Sequence, residues 1–362
     1  MITSTIRNIT RKGTNKILSL IPINRETEGL PEDISFAMLN RLCLSCLDDP
    51  LNKVKHSHLS GWKSSNTYRL KLECEGGSQW SLIYKNAVYS KNIIPALVDF
   101  PLKPGRAEYA VYSSPALSLK HYLPEVYICN EVTSGIKYIY LIEDLSNNYR
   151  LANKRADVHN AVILLTNIYR DSGEIILNIN KDLLPKYDSG FSSELKKYVL
   201  NNLESYLRHT KNNYVSEICR LWNGISTIYD RKNNYSRLSC FVHGDPNLTN
   251  ILVNKKNNDQ LKLIDWEWAG IGLPHQDLAS LLKRATPSVE MESLRFFSKS
   301  NNLLSLSEHR ELYEICQIER GLIDCSFFAS QKINSTGETK INFDAYIEDS
   351  ALRVLRAYDR LT

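Results

Sequence analysis

The segment 243–268 combines three polar side chains at fixed spacings with apolar residues between them. Asp245 precedes Asn250 by five residues, and Asp265 follows after another fifteen. The apolar run 251–253 between them is typical of a short strand. We therefore predict a loop, a strand and a second loop that carry an acid, an amide and another acid in this order.

This order of groups matches the needs of phosphoryl transfer. An acid has to orient and deprotonate the attacking hydroxyl, while an amide and a carboxylate hold Mg²⁺ on the triphosphate. The protein-kinase sequence H-R-D-x-x-x-x-N followed by D-F-G has the same order and nearly the same spacing. Here His-Gly-Asp at 243–245 replaces His-Arg-Asp, and Ile-Asp-Trp at 264–266 replaces Asp-Phe-Gly.

With these replacements the segment resembles the aminoglycoside phosphotransferase and choline kinase-like family, the small-molecule branch of the protein-kinase-like fold. The resemblance covers roughly residues 34 to 362. It implies an α+β, bilobal protein-kinase-like fold, in which a small N-lobe has an antiparallel sheet with one helix and the C-lobe is mainly helical. The implied division is a basic N-terminal extension at 1–33, a nucleotide-binding N-lobe at 34–145 and a C-lobe at 146–362.

The pattern of the N-lobe agrees with this expectation. A helix capped by Asp33 should run to about Leu47. The alternation over 68–73 predicts a half-buried strand, and the residues 75–78 predict a hairpin turn. The returning strand should deliver Lys85 at its end. A helix carrying Glu108 and two further strands, near 124–132 and 137–142, complete the predicted lobe.

The pattern of the C-lobe indicates a small-molecule acceptor. Residues 151–232 read mostly as helix, and Asp144 lies 101 residues before Asp245, more than we expect in a protein kinase. After Asp265 the chain reaches a helix near Pro274 with no long activation segment and no Ala-Pro-Glu triplet. The helices at 151–232 and after residue 285 should line the acceptor pocket, and they show no dense acidic cluster.

The resemblance implies a role for each polar residue. Asp245 is the general base or the group that orients the acceptor hydroxyl. Asn250 and Asp265 supply the oxygen ligands of Mg²⁺. Lys85 neutralises the α- and β-phosphates and is paired with Glu108.

The remaining nucleotide contacts are expected from two backbone segments. Ser64, Ser65 and Asn66 match a Gly-x-Ser-Asn-like turn of the family, whose backbone N–H groups would cover the phosphates. Glu143 and Leu145 lie in a segment that resembles the family's hinge, where backbone groups would pair with the base. Because side chains do not contact the base there, the hinge leaves ATP and GTP both open.

Four neighbours of the catalytic segment are expected to have supporting roles. We interpret His243 as a strut of the loop and Asp277 as a structural residue at a helix start. Trp266 should pack beneath the metal site. Trp268 either packs in the core or faces the acceptor, where an aromatic face would favour a cation.

The composition excludes several other classes of protein. The net charge of +5 is spread along 362 residues and does not indicate nucleic-acid binding. No apolar run approaches the roughly 18 residues of a membrane helix. The eight cysteines are scattered, and Cys43 and Cys46 are predicted to be two core thiols of one helix. Reduced thiols favour the cytoplasm, and the basic residues of segment 1–25 read as a frayed tail or a targeting segment.

The sequence therefore predicts an ATP- and Mg²⁺-dependent phosphotransferase that acts on the hydroxyl of an aminoglycoside-, choline- or sugar-like small molecule, with GTP as an alternative donor. We expect a cytoplasmic monomer or homodimer with no nucleic-acid or membrane partner. A catalytically silent nucleotide-binding pseudokinase and a protein kinase are the alternative hypotheses.

Overall fold

The computed structural model describes residues 30–31, 33–59, 65–88, 105–134, 137–334 and 342–362. These residues divide into two compact units. The first contains the described residues up to His56 together with Leu70–Trp80, and the second contains those of Ser57–Arg69 and Ser81–Thr362. The predicted extension 1–33 lies almost entirely outside the described residues, and the predicted lobe boundary stays a prediction.

Five strands form one antiparallel sheet in the order β1-β2-β3-β5-β4. Their bounds are Leu51–His58 (β1), Ser65–Cys74 (β2), Gln79–Val88 (β3), Val126–Thr133 (β4) and Lys137–Glu143 (β5). β5 runs antiparallel to both β3 and β4, with Tyr140 opposite Lys85 on β3. β5, which lies between β3 and β4, is almost wholly buried, so it anchors the neighbouring strand that carries the lysine.

The sheet differs from the prediction in two places. Lys85 lies inside β3 and not at its end, because the pairing of β3 with β5 continues past it to Val88, opposite Lys137. Nothing in the sequence pattern predicts β1, because only Leu51 among its residues is buried and the other positions lack an alternating apolar face.

In the first unit, α1 (Phe36–Leu47) begins after Ser35, whose hydroxyl accepts the Met38 backbone N–H at 3.2 Å. The predicted cap at Asp33 is therefore wrong, because a serine nearer the apolar run supplies the same hydrogen bond. The helix buries Leu39, Leu42 and Cys43. Cys46 is exposed, so the helix contributes one core thiol and not the predicted two.

The second unit is mainly helical. Its helices are Arg106–Tyr112 (α2), Leu117–Lys120 (α3), Arg155–Arg170 (α4), Ser172–Asn178 (α5), Ser189–His209 (α6), Asn213–Arg220 (α7), Trp222–Asp230 (α8), Pro274–Leu281 (α9), Pro287–Ser300 (α10), Leu306–Asn334 (α11) and Phe343–Leu361 (α12). The helical reading of 151–232 and the helix near Pro274 are confirmed. Together with the five-stranded sheet, this arrangement confirms the predicted α+β, protein-kinase-like fold class.

Five short strands frame the catalytic segment. They are Tyr149–Leu151 (β6), Cys240–Val242 (β7), Ile251–Asn254 (β8), Leu261–Leu263 (β9) and Gly270–Gly272 (β10). β8 pairs with β6 and β9, and β10 pairs with β7. These pairings bring the loop after β7 and the turn after β9 into one region.

The long helix α11 packs against α6, α9 and α12. Because neighbours cover it on several sides, it buries charged residues as well as apolar ones, among them Glu314, Glu319 and Asp324. In the part of the chain that the structure describes, no helix has the length and apolar character needed to cross a membrane.

Candidate active site

The loop that follows β7 is fixed by Asp277, a fully buried residue of α9. Its Oδ2 accepts the backbone N–H of His243 at 2.9 Å, and its Oδ1 accepts that of Gly244 at 2.7 Å. The Tyr169 hydroxyl donates to Oδ2 at 3.2 Å. Burial raises the pKa of Asp277 to about 7, although these donors act in the opposite direction. The structure places Asp277 as a clamp on the loop backbone.

Gly244 allows another segment to approach the loop closely. Its φ of 83° lies in the left-handed region. A Cβ atom at this position would lie 2.0 Å from the carbonyl oxygen of Trp268. A glycine is therefore required where protein kinases carry arginine, and its absence of a side chain lets the catalytic loop lie against the turn Trp266–Trp268.

His243 lies between the catalytic loop and the strand end that precedes Asp265. Its Nδ1 accepts the backbone N–H of Asp245 at 3.3 Å, and its Nε2–H donates to the Ile264 carbonyl at 3.1 Å. Its ring packs on Trp266, with ring centroids 4.3 Å apart. Burial lowers the pKa of His243 to about 4. The imidazole is therefore neutral and serves as a strut, the arrangement predicted for it.

Asp245 is surrounded by hydrogen-bond donors. Its Oδ1 accepts the Ser280 hydroxyl at 2.5 Å and lies 3.1 Å from Nη1 of Arg320, while its Oδ2 accepts the Asn247 amide at 3.0 Å. Each carboxylate oxygen has about two acceptor sites, so Oδ2 can take a further donor. Burial alone would raise the pKa of Asp245, but Arg320 and Lys283 outweigh it and lower that pKa. The carboxylate is thus ionised and suited to orienting a hydroxyl.

Arg320 of α11 connects Asp245 to a second cluster that the sequence does not reveal. Its Nη2 lies 2.9 Å from Oδ1 of Asp324. The other oxygen of Asp324 lies 3.2 Å from Nη1 of Arg353 and 3.8 Å from Nζ of Lys283. Burial would raise the pKa of Asp324, but Arg320, Lys283 and Arg353 outweigh it and lower that pKa. Three cations therefore converge on two carboxylates beside the predicted catalytic residue.

Asn250 and Asp265 are brought together by the β8–β9 pairing. Ile251 lies opposite Leu263, and the Ile264 backbone N–H donates to the Asn250 carbonyl at 3.0 Å. The Asn250 amide nitrogen donates to the Asp245 carbonyl at 3.0 Å, so its side-chain oxygen is the atom left for a cation. Asp265 has a φ of 64°, a conformation uncommon outside glycine that often marks functional sites.

Lys85 is the centre of an acidic cluster. Its Nζ lies 2.7 Å from Oε2 of Glu108, 2.8 Å from Oδ1 of Asp265 and 3.2 Å from Oε1 of Glu267. Glu108 belongs to α2, and both other acids belong to the segment after β9. One ammonium group thus joins a strand, a helix and the end of the catalytic segment. The structure therefore places Lys85 and Glu108 in direct contact, as their predicted pairing requires.

The charges in this cluster are strongly perturbed by burial. Burial would lower the pKa of Lys85, but Asp265, Glu108 and Glu267 outweigh it and raise that pKa well above the usual value. Burial raises the pKa of Glu108 even beside the lysine. Oxygen atoms of the three acids lie within 4.8 Å of one another, so this group could hold a metal ion. The sequence analysis gave Glu267 no role, although its position two residues after Asp265 could have indicated that it belongs to the same site.

The catalytic segment lies within a region that is similar to a known protein family. Residues 179–301 match the model of the phosphotransferase enzyme family. That range includes Asp245, Asn250 and Asp265. The predicted family resemblance is confirmed. No curated protein sequence matches the chain.

Solved structures of small-molecule kinases and phosphotransferases share the fold of this chain. The choline kinase LicA from Streptococcus pneumoniae has a TM-score of 0.58 and 14% identity, covering 90% of this chain and 98% of its own. The spectinomycin phosphotransferase APH(9)-Ia in complex with ADP and spectinomycin has a TM-score of 0.56 and 12% identity, with the same coverages. The GDP complex of wild-type aminoglycoside 2'-phosphotransferase-IIIa has a TM-score of 0.53 and 11% identity, covering 91% of this chain and 100% of its own.

The remaining predicted nucleotide contacts lie partly outside the described residues. Ser64 is not described, and Ser65 and Asn66 are placed only by their backbone at the start of β2. Glu143 ends β5, and its backbone N–H donates to the Glu125 carbonyl at 2.8 Å. Leu145 is buried. The roles that the phosphotransferase family implies for these residues stay predictions.

A small cavity, partly open to solvent, lies beside Asp245. Its lining includes Gly244, which precedes the catalytic acid, and Arg320, which pairs with it. Two aromatic, two polar and one apolar side chain also line it, namely Tyr187, Trp268, Gln276, Glu319 and Ile323. Tyr187, from the region 151–232, and Arg320, from α11, thus border the same cavity, and its use as an acceptor pocket stays a prediction.

The two tryptophans of the catalytic segment have different surroundings. Trp266 is fully buried, stacks on Phe241 and donates its Nε1–H to the Leu263 carbonyl at 3.2 Å. Trp268 lines the cavity, and the Arg320 guanidinium lies 5.7 Å from its ring centroid. Its aromatic face therefore already contacts a cation of the protein itself.

Proposed function

We propose that this chain transfers the γ-phosphoryl group of a Mg²⁺-bound nucleoside triphosphate to the hydroxyl of a small molecule. The observation that carries the proposal is the contact of Lys85 with both Glu108 and Asp265. These residues lie far apart in the sequence on a strand, a helix and the catalytic segment. Phosphoryl transfer needs this set together, because the lysine has to be positioned by one acid while the other acid serves the metal.

The residues present fit Mg²⁺. The candidate ligands Asp265 and Asn250 offer hard oxygen donors, which this ion prefers. Glu267 and Glu108 add negative charge, so three carboxylates face the single ammonium of Lys85 and two negative charges are in excess when all are ionised. When bound, the ion would neutralise charge that develops on the transferring phosphate.

The remaining chemistry belongs to the side chains around Asp245. Its Oδ2 accepts a hydrogen bond from the acceptor hydroxyl and orients that oxygen towards the γ-phosphorus. The hydroxyl oxygen forms a bond to phosphorus as the bond to the β,γ-bridging oxygen breaks. The products are a phosphate monoester and a nucleoside diphosphate, and the hydroxyl proton passes to the Asp245 carboxylate.

The short connection after Asp265 supports a small-molecule acceptor over a protein. The turn Trp266–Trp268 and β10 lead directly to α9 at Pro274. This path leaves little chain to dock a peptide. The relatives bind ADP or GDP according to their descriptions, so the nucleotide is proposed to be ATP or GTP.

The test measures nucleoside diphosphate formation from ATP and from GTP in parallel. Each reaction contains a panel of small hydroxyl compounds, with Mg²⁺ or with a chelator. The proposal expects Mg²⁺-dependent turnover that rises with one class of acceptor. If neither nucleotide binds under any condition, the chain is not a phosphotransferase. If nucleotide binds and no acceptor or water reacts, the pseudokinase alternative is correct.

A further inference from the structure

The acidic residue in the cavity beside Asp245 is not free to bind a cation. Glu319 is the one carboxylate among the described lining residues. Its Oε1 accepts Lys232 Nζ at 2.8 Å and the Tyr229 hydroxyl at 3.1 Å. The Gln276 amide reaches both of its oxygens, at 3.1 and 3.0 Å. Its side chain is only 3% exposed, so an incoming ammonium group would have to displace a buried lysine.

The basic residue in the same cavity has unused hydrogen-bonding capacity. Arg320 is held at one end by Asp245 and Asp324. Its Nε is buried and has no hydrogen-bond partner among the described residues. A buried guanidinium donor without a partner costs free energy, and an oxyanion would satisfy it.

The charges behind Arg320 act in the same direction. Lys283 and Arg353 share Asp324 with it, so three cations face the two carboxylates of Asp245 and Asp324. Arg353 also reaches Asp349, but the Asp349 side chain is 61% exposed, and solvent screens its charge. The local field on this side of the cavity therefore favours a negative group.

We infer that the acceptor carries an oxyanion, a carboxylate or a phosphate ester, which Arg320 binds while the acceptor hydroxyl lies at Oδ2 of Asp245. Trp268 supports the guanidinium from its aromatic face. This inference rests on the proposed function and names the substrate class of the same site. It separates this chain from relatives described as acting on choline or ethanolamine, whose acceptors carry a cationic nitrogen.

The experiment compares acceptors that differ mainly in charge. One series is glycerate, glycerol 3-phosphate, glycerol and 2-amino-1,3-propanediol, and the other is glucuronate, glucose 6-phosphate, glucose and glucosamine. Phosphoryl transfer and binding are measured on the full chain with Mg²⁺ and each nucleotide. An oxyanion-bearing member should exceed its neutral and cationic counterparts in kcat/KM, and the carboxylate and phosphate arms show which oxyanion is bound.

Variants test the role of Arg320. Arg320→Gln should raise KM for the preferred anionic acceptor about 10- to 100-fold, the usual effect of losing a charged hydrogen bond, with little change in nucleotide affinity. Arg320→Lys should recover part of the loss. Arg353→Gln is the matched control, because Arg353 shares Asp324 but does not line the cavity, and it should have a smaller effect on this KM. Thermal melts confirm that each variant is folded.

Three outcomes decide the inference. A preference for oxyanion-bearing acceptors that depends on Arg320 supports it. Equal or better turnover of the neutral or cationic members overturns it and leaves the phosphotransferase function intact. Nucleotide binding with no binding or phosphorylation of any anionic member also overturns it. Failure to bind nucleotide at all refutes the proposed function instead.

Discussion

Two clusters of mostly buried charge occur in the second unit, and their charges are unbalanced in opposite directions. Around Lys85, the carboxylates of Glu108, Asp265 and Glu267 face one ammonium group. Around Asp324, three cations face two carboxylates, those of Asp324 and the partly exposed Asp245. An excess of negative charge suits a divalent cation, and an excess of positive charge suits an anion. In the proposed reaction, the acidic side would serve the metal-bound nucleotide and the basic side an anionic acceptor.

The two clusters also differ in the surroundings that they give to an aspartate, Asp265 in one and Asp245 in the other. Asp265 lies in the acidic cluster, and its side chain is 46% exposed although Oδ1 pairs with Lys85, so a cation can reach it. Asp245 is surrounded by donors and has a lowered pKa, so it remains a carboxylate, as the proposed role in orienting a hydroxyl requires. The neutral ring of His243 connects the loop of the first cluster with the loop of the second.

The largest effect should come from Asp245→Asn. The amide can no longer accept the hydroxyl proton and is a weaker acceptor, so kcat should fall about 10²- to 10⁴-fold. Nucleotide affinity should change little, because the acid contacts the acceptor side. Steady-state kinetics and calorimetry separate the two quantities, with the exposed Asp259→Asn as the control. A variant with the wild-type kcat would remove Asp245 from the mechanism.

Substitution of the predicted metal ligands should lower nucleotide affinity, which Asp245→Asn should leave nearly unchanged. Asp265→Asn keeps a side chain that tolerates the left-handed backbone but loses the charge, so Mg²⁺-dependent nucleotide affinity should fall about tenfold or more. Asn250→Ala should have a smaller effect, because an amide offers a dipole and not a full charge. Calorimetric titration of the Mg²⁺–nucleotide complex measures both. Unchanged affinity in both variants would show that these residues are not the metal ligands.

The contact between Lys85 and Glu108 should appear as coupling. Lys85→Met and Glu108→Gln should each impair activity, and the double variant should lose less than the sum of the two. The expected coupling free energy is about 0.5–3 kcal/mol. A double-mutant cycle on kcat/KM measures it. Strictly additive losses would mean that the two side chains do not act as a pair during turnover.

The smallest effect concerns the strut between the clusters. The pKa of His243 is about 4 in the folded chain against an ordinary value of 6.5. Between these pH values His243 binds a proton in the unfolded chain and does not bind one in the folded chain. Stability is therefore complete above pH 6.5 and falls as the pH is lowered towards 4, by at most about 1.4 kcal/mol per pH unit.

Urea unfolding of wild type and His243→Gln across this pH range tests that sign. The variant should show a shallower decline in the free energy of unfolding, even if it is less stable at neutral pH. A substitution of His275 gives the comparison for the same pH profile, because burial lowers the pKa of this second histidine to about 3 beside His309. Parallel pH profiles for wild type and His243→Gln would show that His243 does not titrate as described.

The sequence predicts the acidic cluster better than the basic one for a physical reason. Asp265 of the acidic cluster lies on one short segment with Asp245 and Asn250, and the spacing of the three matches the kinase pattern. Lys85 and Glu108 follow from the strand and the helix that carry them. Arg320 lies 75 residues beyond Asp245 in α11, a helix buried on several sides. Apolar periodicity is not informative in such a helix, so its buried charges look like an exposed polar face.

Two smaller differences between the predicted and the observed structure also have physical causes. The cap of α1 is Ser35 and not Asp33, because two good capping residues lie within one turn and only packing chooses between them. β1 is a mostly exposed strand with polar residues on it, and its pairing depends on neighbours that the local pattern does not show. In both cases tertiary contacts decide what propensity leaves open.

The most direct test follows the γ-phosphoryl group itself. Nucleotide labelled at the γ-phosphate is incubated with Mg²⁺, the mixed small-molecule acceptors and casein-like protein, and the label is then separated by molecular size. The account predicts a labelled low-molecular-weight phosphate ester, formed by the wild type and lost in Asp245→Asn. Label transferred to the protein fraction, with no small-molecule ester, would contradict the account and indicate a protein kinase.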